Sequence, residues 1–233
     1  QESSVTRFPA PHRGVDARTP LSMGSPDVCI YTYNLVPDDG GLKLRKGYRE
    51  WQIALDSGAG LSVNTIMPFD GLAADGSDDR LFAVTNEGIW DTTAASGTPV
   101  LKVTFGTQTE DAGHGVYIAY ITDANVKVMM YADSLNGLYT YDVATDAWAI
   151  ATGITGTTVA NVNFIAVHKQ RIWLIERDSA EAWYLGAGAI SGAATKFSFG
   201  SKMKSGGSLR GLFSWTVDGG VGVDDMLVAV SSA

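Results

Sequence analysis

The chain has 233 residues, 45% of them hydrophobic, and a formal net charge of −8 at pH 7. That length and composition are enough to bury a sizeable core, as one body or as two small domains. No apolar run approaches the ~18 residues that a membrane-spanning helix needs, so the sequence predicts no membrane anchor. Cys29 is the single cysteine, which excludes a disulfide within the chain.

The charge is unevenly distributed. Residues 1–49 hold 7 Lys+Arg and 5 Asp+Glu, a net charge of +2, whereas residues 50–233 hold 10 and 20, a net charge of −10. An acidic body repels nucleic acid at long range, and proteins that grip a duplex carry a basic stripe. The sequence therefore argues against sequence-specific DNA binding.

Residues 1–49 form a segment of their own, with five of the seven prolines: Pro9, Pro11, Pro20, Pro26 and Pro37. Proline favours extended or turn backbone. We expect an extended N-terminal arm, a turn from Val36 to Gly41 and a lead-in strand from Leu42. Three interpretations stay open: an arm packed on its own body, an arm that contacts a neighbouring subunit, and a disordered tail. The residues predicted to make a subunit contact are Arg7, Phe8, Arg13, Val15, Arg18 and Leu21.

Residues 50–233 contain a repeated phrase, an apolar strand followed by a short turn and a strand with an aromatic residue. Taking Leu81, Met129, Ile172 and Met226 as equivalent gives steps of 48, 43 and 54 residues. A period of roughly 40 to 50 residues is typical of a β-propeller blade.

Each copy also has a strand before it, and the first three copies have one after it. The preceding strands are predicted at 64–69, 116–122, 162–168 and 210–217, and the following strands at 100–105, 148–152 and 196–199. The sequence thus predicts an all-β, β-propeller-like body of four-stranded antiparallel blades, with the preceding strands nearest the axis. Three blades are complete and the fourth is partial, so we expect its missing strands from a continuation of the polypeptide or from a neighbouring subunit.

Six aromatic residues are predicted to pack within or between blades: Trp90, Tyr139, Trp148, Trp173, Trp183 and Trp215. Asp70, Asp123 and Asp218 follow the first strands of three units and could line one acidic mouth or lumen. Two carboxylates facing one pocket would suit a glycosidase. The spacing of histidines, cysteine and carboxylates matches no known catalytic or metal-binding motif, so we expect no catalytic residues, no metal and no cofactor.

Two stretches resemble known families. The run Tyr139-Thr-Tyr-Asp142-Val-Ala-Thr145-Asp-Ala-Trp148 resembles a kelch repeat, in which Asp142 and Thr145 would bond the turn. The opening Arg7-Phe-Pro-Ala-Pro-His-Arg-Gly-Val-Asp-Ala-Arg-Thr-Pro-Leu21 and the stretch Asn34 to Tyr48 resemble the β-propeller tail nozzle or tail-tubular (packaged-DNA stabilisation) proteins of short-tailed bacteriophages. So do Val167 to Glu176, Ala182 to Leu185 and Trp215 to Gly220.

The phage resemblance implies a non-enzymatic structural protein of the virion tail, assembled in the host bacterial cytoplasm. It implies a homo-oligomeric ring that forms the DNA conduit below the head-to-tail adaptor, with adaptor-side and tail-side virion proteins as partners and DNA passing without sequence-specific binding. Members of that family are usually far longer than this chain. The alternatives are a carbohydrate-binding or glycosidase-like propeller and a kelch-like interaction module.

Overall fold

The structure is a computed structural model that describes residues 13–16, 18–20, 23–29, 31, 33–38, 41–47, 51–52, 55, 62–95, 97–218 and 223–232. The chain divides into two compact units, Gln1–Glu50 and Trp51–Ala233. Regular structure in the described residues is almost entirely β, with two 3₁₀ turns at Val159–Asn161 and Gly200–Lys202. No described helix is long and apolar enough to cross a bilayer.

The first unit contains an antiparallel hairpin of β1 (Leu35–Asp38) and β2 (Gly41–Leu44). Residues 36–38 were expected in a turn, but they lie in β1. Their partners are Lys43, Leu42 and Gly41, so the turn itself is shorter than the sequence indicated.

The second unit is built from successive antiparallel sheets. Blade 1 is formed by β3 (Thr65–Phe69), β4 (Arg80–Val84), β5 (Gly88–Asp91) and β6 (Val100–Thr104). Blade 2 is formed by β7 (Gly115–Ile121), β8 (Lys127–Asp133), β9 (Gly137–Asp142) and β10 (Ala147–Ile150). Blade 3 is formed by β12 (Val162–His168), β13 (Arg171–Glu176), β14 (Glu181–Tyr184) and β16 (Thr195–Ser198).

The partial fourth blade is a two-stranded sheet of β17 (Leu209–Asp218) and β18 (Val223–Ser231). A short parallel pair, β11 (Ile154–Thr155) with β15 (Gly192–Ala193), lies outside the four blades and was not predicted. The predicted fold, all-β and propeller-like with three four-stranded antiparallel blades and a partial fourth, is confirmed.

The first strands of consecutive blades lie next to one another. β7 contacts β3 and β12, and β12 also contacts β17. Each of these strands is the first of its sheet and pairs only with the second. They therefore occupy the positions nearest a common axis, as expected of a propeller.

Each blade has two faces, which we call the near face, toward the preceding blade, and the far face, toward the following one. Period-2 alternation assigns side chains to them. Met67 and Phe82 on the far face of blade 1 pack with Met129 and Tyr141 on the near face of blade 2. Similar apolar clusters join blade 2 to blade 3 and blade 3 to blade 4.

The register of the fourth unit differs from the predicted alignment by one residue. Met129 and Ile172 lie on near faces and are buried. In blade 4, Leu227 rather than Met226 packs toward blade 3. Met226 pairs with Trp215 on the opposite face, and both side chains are exposed. Trp215 therefore does not pack between blades of one chain, and its predicted packing role is wrong for the single chain.

Trp173 and Trp215 provide a matched test of this packing. Trp173 is buried against Tyr184, Phe197 and Phe199, with ring centroids 4.9, 6.0 and 6.5 Å away. We expect Trp173→Ala to lower the free energy of unfolding by ~3–5 kcal/mol, because it opens a cavity. Trp215→Ala, at a position 61% exposed, should change it by about 0.5 kcal/mol or less in dilute monomer. Equilibrium denaturation measures both, and equal losses would contradict the assigned faces.

Candidate assembly surface

The far face of blade 4 is an exposed apolar surface. β17 and β18 pair so that Trp215 lies opposite Met226, Phe213 opposite Val228, and Gly211 opposite Val230. Five large apolar side chains therefore share one face, with exposed fractions between 36% and 61%: Phe213, Trp215, Met226, Val228 and Val230. Monomeric proteins seldom expose a contiguous apolar patch of this kind without a partner for it.

The same positions are buried in the other blades. On the second strands, the far-face residues Phe82, Met130 and Ile175 are each 0% exposed, because the next blade covers them. In blade 4 the corresponding strand is β18, and its far-face residues Met226, Val228 and Val230 are exposed. The surface therefore has the character of a blade-to-blade interface for which the described residues provide one side.

The outer edge of β18 belongs to the same surface. In blades 1 to 3 the second strand pairs with a third, whereas the sheet of β17 and β18 has two strands. β18 begins with two acidic residues, Asp224 and Asp225, and Asp225 accepts a hydrogen bond of 2.6 Å from the Thr216 hydroxyl. An edge strand presents backbone donors and acceptors that can pair with another strand.

The predicted arm contacts fall partly within the described residues. Arg13 forms an ion pair of 3.5 Å with Asp27, and Val15, which is exposed, bridges to Cys29. The amide of Arg18 donates to Asp16. Arg7, Phe8 and Leu21 lie outside the described residues. The subunit contact assigned to this set stays a prediction.

The predicted acidic mouth also has basic side chains near it. Asp70 and Asp123 are exposed after β3 and β7, but the Asp70 carboxylate lies 3.7 Å from the ammonium of Lys127. Lys169 takes the equivalent place after β12. Asp218 ends β17, and its side chain is outside the described set. The local charge at this end of the sheets is therefore closer to balance than the sequence suggested.

Five of the six predicted packing aromatics are buried. Tyr139 and Trp148 lie between blades 1 and 2, and Trp183 lies between blades 2 and 3. Trp173 packs toward blade 4, and Trp90 on the near face of blade 1 donates its indole N–H to the Thr85 hydroxyl. Trp215 is the exception.

Sequence reasoning missed a polar network centred on Asp146. Its carboxylate accepts hydrogen bonds from Lys102 Nζ at 2.7 Å, from the Tyr141 hydroxyl at 2.7 Å and from Arg80 Nε at 3.2 Å. Burial by itself raises the pKa of Asp146, but these hydrogen bonds outweigh it and lower the pKa to about 2. Because Lys102 and Arg80 belong to blade 1, Asp146 is a link between blades.

The kelch-like turn explains how Asp146 is placed. Asp142 accepts hydrogen bonds from the Ala144 amide at 3.0 Å and from the Thr145 hydroxyl at 2.9 Å, the pair that the sequence indicated. Asp146 then has φ of 49°, in the left-handed region that Asp tolerates better than most residues. This turn directs its carboxylate toward blade 1.

The acidic loop 70–79 uses its carboxylates within the loop. Asp78 accepts from the amides of Leu72 and Ala73, and Asp79 accepts from the amide of Gly71. Asp79, Asp70 and Arg80 also border an open pocket of about 310 Å³. In the part of the chain that the structure describes, no group of three or more His, Cys, Asp or Glu residues could hold a metal ion.

No protein-family model and no curated protein matches the chain. Among solved structures, it is similar to BBS1N in complex with ARL6DN, soaked with lead, at 10% identity and a TM-score of 0.38 over 72% of this chain and 63% of that one. It is also similar to the glutaminyl cyclase of Myxococcus xanthus, at 17% identity and a TM-score of 0.32 over 72% of this chain and 76% of that one. The chain thus spans less than two thirds of the BBS1N chain. Both TM-scores are low, so the fold rests on the sheets described above.

The Asp146 link makes stability depend on pH. A carboxylate with a lowered folded pKa stabilises the fold above its unfolded value of about 3.8, and this contribution is lost as the pH falls toward 2. We expect Asp146→Asn to cost on the order of 1 kcal/mol at pH 6, since Asp146 is partly exposed, and less at pH 2.5. Chemical denaturation at both pH values measures the difference. Asp111→Asn, at an exposed position, is the control, and an equal effect of both substitutions would contradict the link.

Proposed function

We propose that the protein is a structural subunit of a ring in the tail of a short-tailed bacteriophage, forming part of the DNA conduit below the head-to-tail adaptor. The observation that carries the proposal is the exposed apolar far face of blade 4. A sheet face of this composition calls for protein that covers it, and in a homo-oligomeric ring a neighbouring copy can do so. The resemblance of the arm and of β13 and β14 to tail nozzle proteins supports the same assignment.

The polar groups near the blades are engaged in structure. Asp146 of blade 2 binds Arg80 and Lys102 of blade 1, and Asp78 and Asp79 close their own loop. Each of these carboxylates already accepts hydrogen bonds from the protein. This arrangement favours a structural role over catalysis.

The charge of the body suits a conduit. Residues 50–233 have a net charge of −10, so a lumen lined by this body would repel the DNA backbone as it passes. Adhesion of DNA to its channel would slow ejection, and phosphate contacts are the main source of nonspecific affinity. The protein would therefore contact DNA without sequence preference.

The ring is tested by native mass spectrometry and negative-stain microscopy of the purified chain. We expect symmetric oligomers of one defined copy number. Trp215→Glu should shift the population toward monomer, because it places a charge in the apolar contact. Ile150→Glu alters an exposed apolar residue on β10, outside the far face, and should leave the oligomer intact. A wild-type chain that stays monomeric at every concentration would contradict the proposal.

The arm is tested by deletion of residues 1–21. We expect the remaining chain to keep its β-sheet circular dichroism and its melting temperature, since the blades form a compact unit from Trp51 onward. Assembly should be weakened, because Phe8, Val15 and Leu21 are apolar anchors on a stiff proline-rich segment. Ring formation as efficient as that of the intact chain would show that this part of the arm makes no subunit contact.

A further inference from the structure

Two antiparallel hairpins in the described residues form two-stranded sheets, β1 with β2 and β17 with β18, whereas each complete blade has four strands. We propose that the β1–β2 hairpin of a neighbouring copy pairs with the outer edge of β18 and completes blade 4 in the order β17-β18-β2-β1. The inference rests on the proposed ring, and it identifies which segment of the neighbour pairs with the β18 edge.

Pairing with β18 requires backbone donors and acceptors on both partners. In the part of the chain that the structure describes, no strand pairs with the outer edge of β18 between Asp224 and Val230. Addition of a strand to a sheet edge is a common mode of recognition. The hairpin supplies two antiparallel strands that are already paired. It therefore brings the number of strands that blades 1 to 3 have, at a lower ordering cost than a disordered segment would.

The charges select the strand and its direction. β2 is followed by basic residues, with Arg45 and Lys46 exposed, and β18 begins with Asp224 and Asp225. If β2 runs antiparallel to β18, the basic end of β2 lies beside the acidic start of β18. If β1 took that place instead, Asp38 would lie at the acidic end. Opposite charges across the strands therefore favour β2 as the third strand.

The hairpin also presents apolar residues. Leu35 and Leu44 are directly opposite each other, so they share one face, and Leu44 is 73% exposed. The sequence at the start of β2, Gly41-Leu42, matches the start of the third strands of blades 1 and 2, Gly88-Ile89 and Gly137-Leu138. β2 thus begins with the same residue types as these two third strands, but it lacks the aromatic residue that they carry.

The net charges allow a second copy to be the source. Two bodies of −10 repel each other, so an assembly of copies is favoured by a basic segment at the contact. Residues 1–49 carry +2 and contain that segment. When each copy donates its hairpin to the next, the contact is head-to-tail, which is the arrangement that generates a ring when the rotation closes.

A mixed-isotope cross-linking experiment tests the exchange. Equal amounts of ¹⁴N-labelled and ¹⁵N-labelled chain are assembled together, treated with a carbodiimide that couples amines to adjacent carboxylates, and digested. We expect cross-linked peptides that join Lys43 or Lys46 to Asp224 or Asp225 and carry one label of each kind. Cross-links that carry a single label only would overturn the proposal, because the hairpin would then belong to the same copy.

A charge swap provides the matched variants. Reversal of β18 (Asp224→Lys with Asp225→Lys) and reversal of the hairpin (Arg45→Glu with Lys46→Glu) should each raise the concentration for half-assembly roughly tenfold. The four substitutions together should restore assembly, which general loss of folding would not. Asp111→Lys is the control for charge alone, and circular dichroism confirms folding of each variant.

The outcomes separate this inference from the proposed function. Rings that form without the cross-link, and that are indifferent to both reversals, would overturn hairpin exchange and leave the ring standing. A chain that forms no oligomer would overturn both. Hydrogen exchange gives a third measure, since those amides of residues 225–230 that point away from β17 should be protected in the assembly and exposed in the Asp224→Lys, Asp225→Lys variant.

Discussion

The structure depends on one constraint, that a four-stranded sheet with apolar residues on both faces cannot be buried alone. Blades 1 to 3 satisfy it by packing their far faces on the near face of the next blade. Met67 and Phe82 lie against Met129 and Tyr141, and further apolar clusters continue through blades 3 and 4. Burial of this kind contributes about 25 cal/mol per Å² of apolar surface, which makes the stability of each blade depend on its neighbours.

Much of the blade architecture could be predicted from local sequence. The strands are short runs of apolar and aromatic residues separated by turn residues such as glycine, aspartate and asparagine, so their order and number follow from patterns within 10 to 20 residues. Boundaries moved by one or two residues; the predicted strand 64–69, for example, begins at Thr65. The predicted turn 36–41 was too long, because Pro37 and Asp38 are typical turn residues. Pro37 is nevertheless tolerated in a two-stranded hairpin.

What the sequence could not predict depended on contacts between distant residues. Met226 to Val230 is an uninterrupted apolar run, so period-2 alternation could not decide whether Met226 or Leu227 faces blade 3. That ambiguity reversed the face of Trp215 as well, because its side follows from its pairing with Met226. Asp146 looked like one residue of a kelch-type turn. Its role is set by Lys102 and Arg80, which lie 44 and 66 residues earlier.

Two opposing effects, apolar burial and charge repulsion, determine how copies of the protein can associate. The far face of blade 4 favours association through apolar burial, which salt does not screen. The net charge of −10 opposes association, and this repulsion between exposed charges falls off over a Debye length of about 8 Å at physiological ionic strength. A basic segment beside Asp224 and Asp225 would convert part of the repulsion into attraction at the β18 edge. Apolar burial would then supply most of the affinity, while the charges would select the partner strand and its direction.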